Sequence, residues 1–281
     1  MNRKINLRRS LGAIPLSAWV GIVIIAVNLL GAIFAPWLAP HSETEQVGDI
    51  WLLPSIHTPF GTDSLGRDML SRILYGARTT IAIALAITIS SFIIGIVTGF
   101  AAAIYGKWVD VVLSRIVDTL MSIPVLIFAL MVLSVMGTSI PVLVLTIALL
   151  DATRVFRLAR LVAQAIVCQE YVEAARLRGE GLRWVLTKEI LPNAIPPLLA
   201  EFGMRFCFTF LFIAGLSFLG LGIQPPYADW GSMVRDNAQA INFGQYAPLY
   251  PAAAIALLTI GVNLVVDWLL ARNSLAHGDQ S

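Results

Sequence analysis

The sequence predicts an all-α membrane protein of six transmembrane helices, with the N-terminus and the C-terminus cytoplasmic. Three observations predict it. Of the 281 residues, 58% are hydrophobic and 13% charged, against about 45–50% and about 25% in a soluble domain. The apolar residues gather into charge-free blocks long enough to cross a hydrocarbon core of roughly 30 Å. Lys and Arg, which resist translocation, concentrate in alternate connecting segments.

Between Arg9 and Glu43 there is no Asp, Glu, Lys or Arg, and the apolar run from about Ser17 to Leu38 is the first span. It follows Arg3, Lys4, Arg8 and Arg9, as a signal peptide would, but it exceeds the roughly 7–15 apolar residues of a signal. It therefore reads as an uncleaved anchor helix. The second block separates Arg78 from Lys107 and contains Gly95-Ile96-Val97-Thr98-Gly99, a small-xxx-small pattern that lets helix backbones approach closely in lipid. The 32 residues from Thr119 to Leu150 carry no charge, about 48 Å as one helix, which overshoots a single crossing. Gly137-Thr138-Ser139 followed by Pro141 offers a turn, so the block divides into a third and a fourth span, each borrowing from its charged flank. Arg115 and Asp118 then stand at the start of the third span, and Asp151 and Arg154 at the end of the fourth. The fifth span begins near Pro196-Pro197, prolines being tolerated at a helix start, and runs to Gly222 before Pro225-Pro226. The sixth runs from about Leu249 to Leu270.

Orientation follows from the basic residues. Fourteen Lys and Arg fall in the N-terminus, the 107–118 loop, the stretch from Arg154 to Lys188 and Arg272. Only Arg67, Arg72, Arg78 and Arg235 fall on the other side, and Arg205 lies within the fifth span. The N-terminus is therefore inside. A formal net charge of +2 is too weak to point to nucleic acid. Cys168 and Cys207 suggest neither a disulfide framework nor a thiolate metal site.

Residues 39–78 and 223–248 form the long outer segments. The inner stretch from about Val155 to Asn193 has helix-forming composition, broken by Gly179 and Gly181 and closed by Leu191-Pro192. It reads as helix, glycine turn, helix, proline stop. A simple connector needs about 2–8 residues, so the extra length points to a docking element. Its order, Glu173-Ala174-Ala175, Gly179 four positions on, then Leu191-Pro192, resembles the cytoplasmic EAA signature of ATP-binding-cassette (ABC) importer permeases. Paired alanines leave a shallow face, glycine permits a sharp turn, and the glutamate offers a carboxylate to a partner. One departure is that Glu189 stands two before Leu191, with the apolar Ile190 shifted next to the Leu-Pro.

The outer segment Thr58-Pro59-Phe60-Gly61-Thr62-Asp63-Ser64-Leu65-Gly66-Arg67-Asp68, with Ser71-Arg72 and Tyr75-Gly76-Ala77-Arg78, reads by its residues as two turns feeding a helix. It is similar to the hallmark of the C-type permeases of dipeptide, oligopeptide and nickel importers. Leu219-Gly220-Leu221-Gly222, Pro225-Pro226 and Trp230-Gly231 resemble the outer end of that family's fifth span. The resemblance extends from about Pro15 to Arg272.

What the resemblance implies is a type I ABC importer permease fold with a cytoplasmic coupling helix, in a bacterial inner membrane. The chain would be half of a pore for peptides, or for nickel chelates, opines or small glycans. The implied partners are a second homologous permease subunit, two ATP-binding-cassette ATPase subunits, an external solute-binding protein and membrane lipid. ATPase coupling would rest on Glu173, Ala174, Ala175 and Gly179, with Leu191 and Pro192 closing the signature. Gly61, Thr62, Asp63, Gly66, Arg67 and Asp68 form the external family motif. The chain then divides into residues 1–78 (tail, first helix, external segment), a five-helix core at 79–272 that includes the coupling region 155–194, and a cytoplasmic tail at 273–281.

The residues agree that chemistry happens elsewhere. Gly106-Lys107 is followed by Trp108 and lacks the earlier glycine of a phosphate loop. There is no His pair at ligand spacing and no Gly-x-Ser-x-Gly elbow. The expectation is a transport subunit without catalytic residues, metal or cofactor of its own, ATP and Mg being held by partner subunits. His41 and His57 near Glu43, Glu45 and Asp49 read as a solvated acidic loop, and Trp37, Trp51 and Trp230 as interfacial anchors. Asp118, Asp151, Glu201, Arg205 and Asp267 at span margins are functional candidates because charge is costly in lipid, although Glu201 and Arg205, four apart, can pair along one helix face. The alternative class is an ion-coupled secondary transporter, which would show midplane charges and inverted repeats. No clear repeat is visible, and the apolar centres of spans one, two and six hold no acid or base. A membrane scaffold or intramembrane enzyme is the third reading.

Overall fold

The computed structural model describes residues 15–278, and among these no strand forms; two isolated bridges, Gln46 with Arg67 and Thr62 with Asp68, occur in the outer segment. The basic residues Arg3, Lys4, Arg8 and Arg9 and the last residues of the tail lie outside the described residues.

Helix α1 (Leu16–Ile33) continues into the short α2 (Ala35–Leu38). Gly21 is the point where α1 meets the last long helix: a Cβ there would lie 2.7 Å from the Gly261 carbonyl oxygen. Trp19, Val23, Val27 and Leu30 form an exposed stripe on α1, the outward face of a helix whose other side is packed.

Helix α3 (Met69–Tyr105) is 37 residues long. Asp68 caps its N-terminus, its carboxylate accepting from the Ser71 backbone N–H at 2.8 Å and from the Ser71 hydroxyl at 2.6 Å, which satisfies donors that a helix start leaves open. The helix packs lengthwise on α6 (Ile140–Val167). Ser91 meets Asp151, Gly95 meets Val155 and Gly99 meets Ala159, so the two helices run parallel. A Cβ on Gly95 would lie 2.5 Å from Val155 Cβ, and one on Gly99 2.8 Å from the Phe156 carbonyl oxygen. The small-xxx-small pair thus lets α3 and α6 pack in close contact.

The third expected span is not one helix. α4 (Lys107–Met121) and α5 (Val125–Met136) meet at 85°, the break falling just before Pro124, which lacks a backbone N–H to continue the ladder. α4 carries Asp110 and Asp118, and Arg160 and Arg157 of α6 pair with them respectively, the latter at 2.8 Å. The turn read at Gly137-Thr138-Ser139 does separate α5 from α6. α6 then runs on to Val167, so Asp151 and Arg154 stand in mid-helix rather than at its end. The residues beyond them, rich in Ala, Leu and Arg, extend the helix with little propensity cost.

After α7 (Glu170–Leu177) the chain turns, and α8 (Leu182–Trp184) leads through a π-helical turn, Val185–Ile190, into α9 (Leu191–Phe218). Leu191-Pro192 therefore does not stop a helix, and Pro196-Pro197 does not start one; both pairs lie inside one continuous helical rod. The wider π turn changes the hydrogen-bond register just ahead of Pro192, whose missing N–H then falls in the first turn of α9. An outer helix α10 (Trp230–Asp236), a 3-10 turn (Ala238–Phe243) and α11 (Leu249–Gly278) complete the chain.

Among the described residues, α1, α3, the rod Leu182–Phe218 and Leu249–Arg272 are each long and apolar enough to cross a bilayer, and the bent α4–α5 pair qualifies together as a fifth. α6 is not in that set; Asp151, Arg154 and Arg157 dilute its apolar character. Two larger clusters and a small one at Ala102, Val117 and Phe156 form the core. Met69, Ile87, Phe210, Ile213 and Trp230 belong to one cluster, and Phe92, Val155, Val172, Val185 and Ile190 to another, which underlies α7.

Candidate coupling surface and outer clamp

The external motif builds a knot of backbone contacts. Gly61 and Gly66 both have φ +72°, and a Cβ at either would overlap a carbonyl oxygen, that of Leu52 or of Gly48. Only glycine suits both demands. Between them, the Asp63 carboxylate, 1% exposed, accepts from the backbone N–H groups of Leu65 (2.8 Å) and Arg67 (2.9 Å) and pairs with the guanidinium groups of Arg67 (2.7 Å) and Arg72 (3.3 Å). The Thr62 hydroxyl accepts from the Leu52 N–H and donates to the Asp49 carbonyl. The Thr62, Asp63, Arg67 and Asp68 side chains thus all bond within this segment or at the start of α3.

This knot is tied to the second outer segment. The Ala228 N–H donates to Glu43 Oε2 at 2.8 Å, and Asn237 Oδ1 accepts from the Trp51 indole at 3.2 Å and the Ser64 N–H at 2.9 Å. The Thr80 hydroxyl donates to Asp229 Oδ1 at 2.9 Å, and Asp229 also caps α10 through the Ser232 N–H. Burial pushes the Asp229 carboxyl up, against the opposing pull of these donors. Trp230 is 1% exposed, its indole donating to the Ile73 carbonyl, and Trp51 stacks on Phe243. Neither is an interfacial anchor, because both indole N–H groups find protein partners; Trp37, 76% exposed, remains free for that role. Glu43, Asp229 and Asn237 were not legible as clamp residues, since their partners lie far away in the chain.

His41 reaches Glu45 at 3.8 Å, Glu43 is committed to Ala228, and among the described residues no group of three metal-type ligands exists.

At the opposite end, α7 presents two faces. Val172 and Ala175 are fully buried, Val172 in the second core cluster, whereas Glu173, Ala174, Arg176 and Leu177 are exposed. Gly179 has φ +84° with nothing within 4 Å of an added Cβ, so the turn needs glycine for its backbone and not for space. The Gly179 N–H donates to the Arg176 carbonyl and the Glu180 N–H to the Ala175 carbonyl, closing α7. Ile190, the shifted apolar residue, is fully buried, while Leu191 and Pro192 are exposed on the following rod. Partial burial, then Glu189, raises the pKa of Tyr171, which keeps its phenol neutral on the exposed side of α7.

The charged residues of the span margins separate by environment. Asp118 is exposed against Arg157. Glu201 and Arg205 pair as expected within α9, at 2.5 Å. Arg205 also faces Asp151 of α6 at 3.6 Å, and Asp151 is 8% exposed. Ser91, level with Asp151, stands near the centre of the charge-free stretch from Arg78 to Lys107.

A family model described as "Binding-protein-dependent transport system inner membrane component" matches residues 91–274, and one described as "N-terminal TM domain of oligopeptide transport permease C" matches residues 17–54. Among curated proteins, the chain is 34% identical over 253 residues to the dipeptide transport system permease protein DppC of Alkalihalophilus pseudofirmus, covering 90% of this chain and 83% of that one. It is 34% identical over 269 residues to DppC of Escherichia coli K12, covering 93% and 88%. The di/tripeptide permease DppC of Pseudomonas aeruginosa is 32% identical over 256 residues, covering 89% and 84%. A crystal structure of an amino acid ABC transporter with histidines matches with a TM-score of 0.54 at 18% identity, over 72% of this chain and 94% of that chain, which is a likeness of fold. The chain belongs to the binding-protein-dependent transport system inner membrane component family. It is a multi-pass inner-membrane permease subunit of an ABC importer, a transport subunit and not an enzyme.

Proposed function

We propose that this chain forms half of the translocation pathway of an ATP-driven importer of short peptides, paired with a second homologous permease subunit. Two ATPase subunits holding ATP and Mg would drive it from the cytoplasm, and an external solute-binding protein would deliver the solute. The peptide assignment rests on relatives whose names specify dipeptides and tripeptides at 32–34% identity. In this reading all six helical units, with the bent α4–α5 pair as the third and α6 as the fourth, cross the membrane, and both termini are cytoplasmic. The division into 1–78, 79–272 and 273–281 follows from it, with α7 as the coupling helix.

The observation that carries the coupling assignment is α7 itself. A short helix with Glu173 and Ala174 outward stands on fully buried Val172 and Ala175, and Val172 belongs to the core cluster that also holds Val155 of α6 and Ile190 at the foot of α9. A push on its exposed face is therefore delivered to two long helices at once. Ala175 supports from beneath; contact with the ATPase falls to Glu173, Ala174 and the Gly179 turn. The test is affinity purification of the chain from its native membrane in mild detergent. Recovery of a second permease and ATPase subunits supports the reading, and recovery of the chain alone with solute flux intact points to the secondary transporter.

A further inference from the structure

A cavity of about 420 Å³ opens between α5, α6 and α9, lined by Val125, Asp151, Arg154 and Thr209, with the half-exposed Phe208 and Leu211 at its rim. Its level is that of Ser91, near the middle of a crossing. Two charged groups at such a depth demand an explanation. Asp151 is more than nine-tenths buried, yet its donors are all distant: Ser91 Oγ at 3.5 Å, Arg205 Nη1 at 3.6 Å and Arg154 Nη1 at 4.0 Å. A carboxylate in such a place normally holds short charge-assisted bonds. The Arg205 charge is already answered by Glu201, and its Nη1 has no hydrogen-bond partner. Arg154, 41% exposed, projects its guanidinium with no closer acid than Asp151. The cavity wall thus offers one acceptor, Asp151, whose donors all lie at 3.5 Å or beyond, and one exposed guanidinium, Arg154, side by side on largely apolar walls. The size is within the roughly 300–1,000 Å³ of small-molecule sites.

We propose that this cavity is a transit subsite for the zwitterionic main chain of a short peptide, with Asp151 taking the terminal ammonium and Arg154 the terminal carboxylate. The inference rests on the peptide-importer reading and adds the residues that read the peptide's ends. A net-neutral ligand with both charges fits a wall whose two charged residues, Asp151 and Arg154, also sum to zero. Recognition of the two termini leaves the side chains unread, which suits passage of many sequences.

The test is equilibrium binding of radiolabelled Ala-Ala, N-acetyl-Ala-Ala and Ala-Ala-amide to the assembled transporter in nanodiscs, without the binding protein. The wild type is expected to bind Ala-Ala about tenfold or more tightly than either blocked peptide, the scale of one lost charged bond. Asp151→Asn is expected to erase the penalty for acetylation alone, and Arg154→Gln the penalty for amidation alone. Equal binding of the three peptides by the wild type overturns the subsite and needs no variant to fold. Variants that weaken all three peptides equally also overturn it. ATP-dependent uptake of Ala-Ala by the complete system, measured in parallel, is the separate check on the importer: uptake without end discrimination refutes only the subsite, and absence of uptake refutes the function.

Discussion

The Trp230 ring closes over Gly76: a Cβ at Gly76 would lie 2.8 Å from indole Cδ1, while the indole N–H donates to the Ile73 carbonyl at 2.9 Å. One residue of the first outer motif and one of the second are thereby fitted to each other across 154 positions of chain, locking the outer end of α3 to α10. Glu43 with Ala228 and Asn237 with Trp51 and Ser64 repeat the same connection at its margins.

Gly76→Val is expected to push Trp230 out of its seat and to destabilise the protein by about 1–3 kcal/mol, the usual cost of overpacking. Thermal unfolding in detergent followed by tryptophan fluorescence reads both effects. An unchanged midpoint and emission maximum would mean that the two outer segments are not interlocked.

Asp63→Ala removes the acceptor for two backbone N–H groups and leaves Arg72, 3% exposed, without its nearest carboxylate. Loss of one partner of a buried pair costs about 3–5 kcal/mol, so residues 44–68 should become sensitive to limited proteolysis. Asp63→Asn keeps an oxygen for the Leu65 and Arg67 N–H groups and should be cut more slowly. Equal protection in both variants contradicts the proposed role of the carboxylate.

Ala174 and Ala175 are adjacent yet opposite in environment, one exposed and the other fully buried. Ala174→Arg should leave folding intact and reduce co-purification of the ATPase through steric and charge conflict. Ala175→Arg should lower the yield of folded permease itself, since a buried arginine without an acid is strongly unfavourable. Normal ATPase recovery with Ala174→Arg would place the docking face elsewhere.

At Gly179 the backbone, not the surroundings, excludes side chains. Gly179→Val incurs about 1–2 kcal/mol of left-handed strain and should uncouple ATP hydrolysis from uptake while membrane insertion stays normal. Gly179→Asn, which tolerates this conformation, should retain coupling. Gly179→Asp tests charge at the same turn and is also expected to uncouple. Wild-type uptake by the valine variant sinks the assignment of this turn to coupling.

Much of this architecture is legible in the sequence where the signal is local. The charge-free blocks mark α1, α3 and α11, Gly95 and Gly99 mark the close packing of α3 on α6, Gly137 and Pro141 mark the turn before α6, and Gly179 marks the turn after α7. Three features escape because a second element decides them. Pro124 breaks the third span, and α4 swings against α6 because Asp110 and Asp118 find Arg160 and Arg157 there. Pro192, Pro196 and Pro197 read as helix boundaries, yet the π turn at Val185–Ile190 carries the rod through them. Trp230 and Trp51 read as interfacial anchors because their partners, Ile73 and Asn237, lie on distant segments. Asp151 likewise gains its buried setting only when α3 and α9 pack beside α6.

In the proposed reading, this permease moves peptide only when ATP is hydrolysed on partner subunits. The most direct measurement is uptake of a radiolabelled dipeptide into proteoliposomes containing the complete complex, with the binding protein outside and ATP varied inside. Uptake that requires internal ATP and the binding protein, and that persists when ion gradients are collapsed, is the predicted result. Uptake that survives without ATP but disappears with the ion gradient would contradict it.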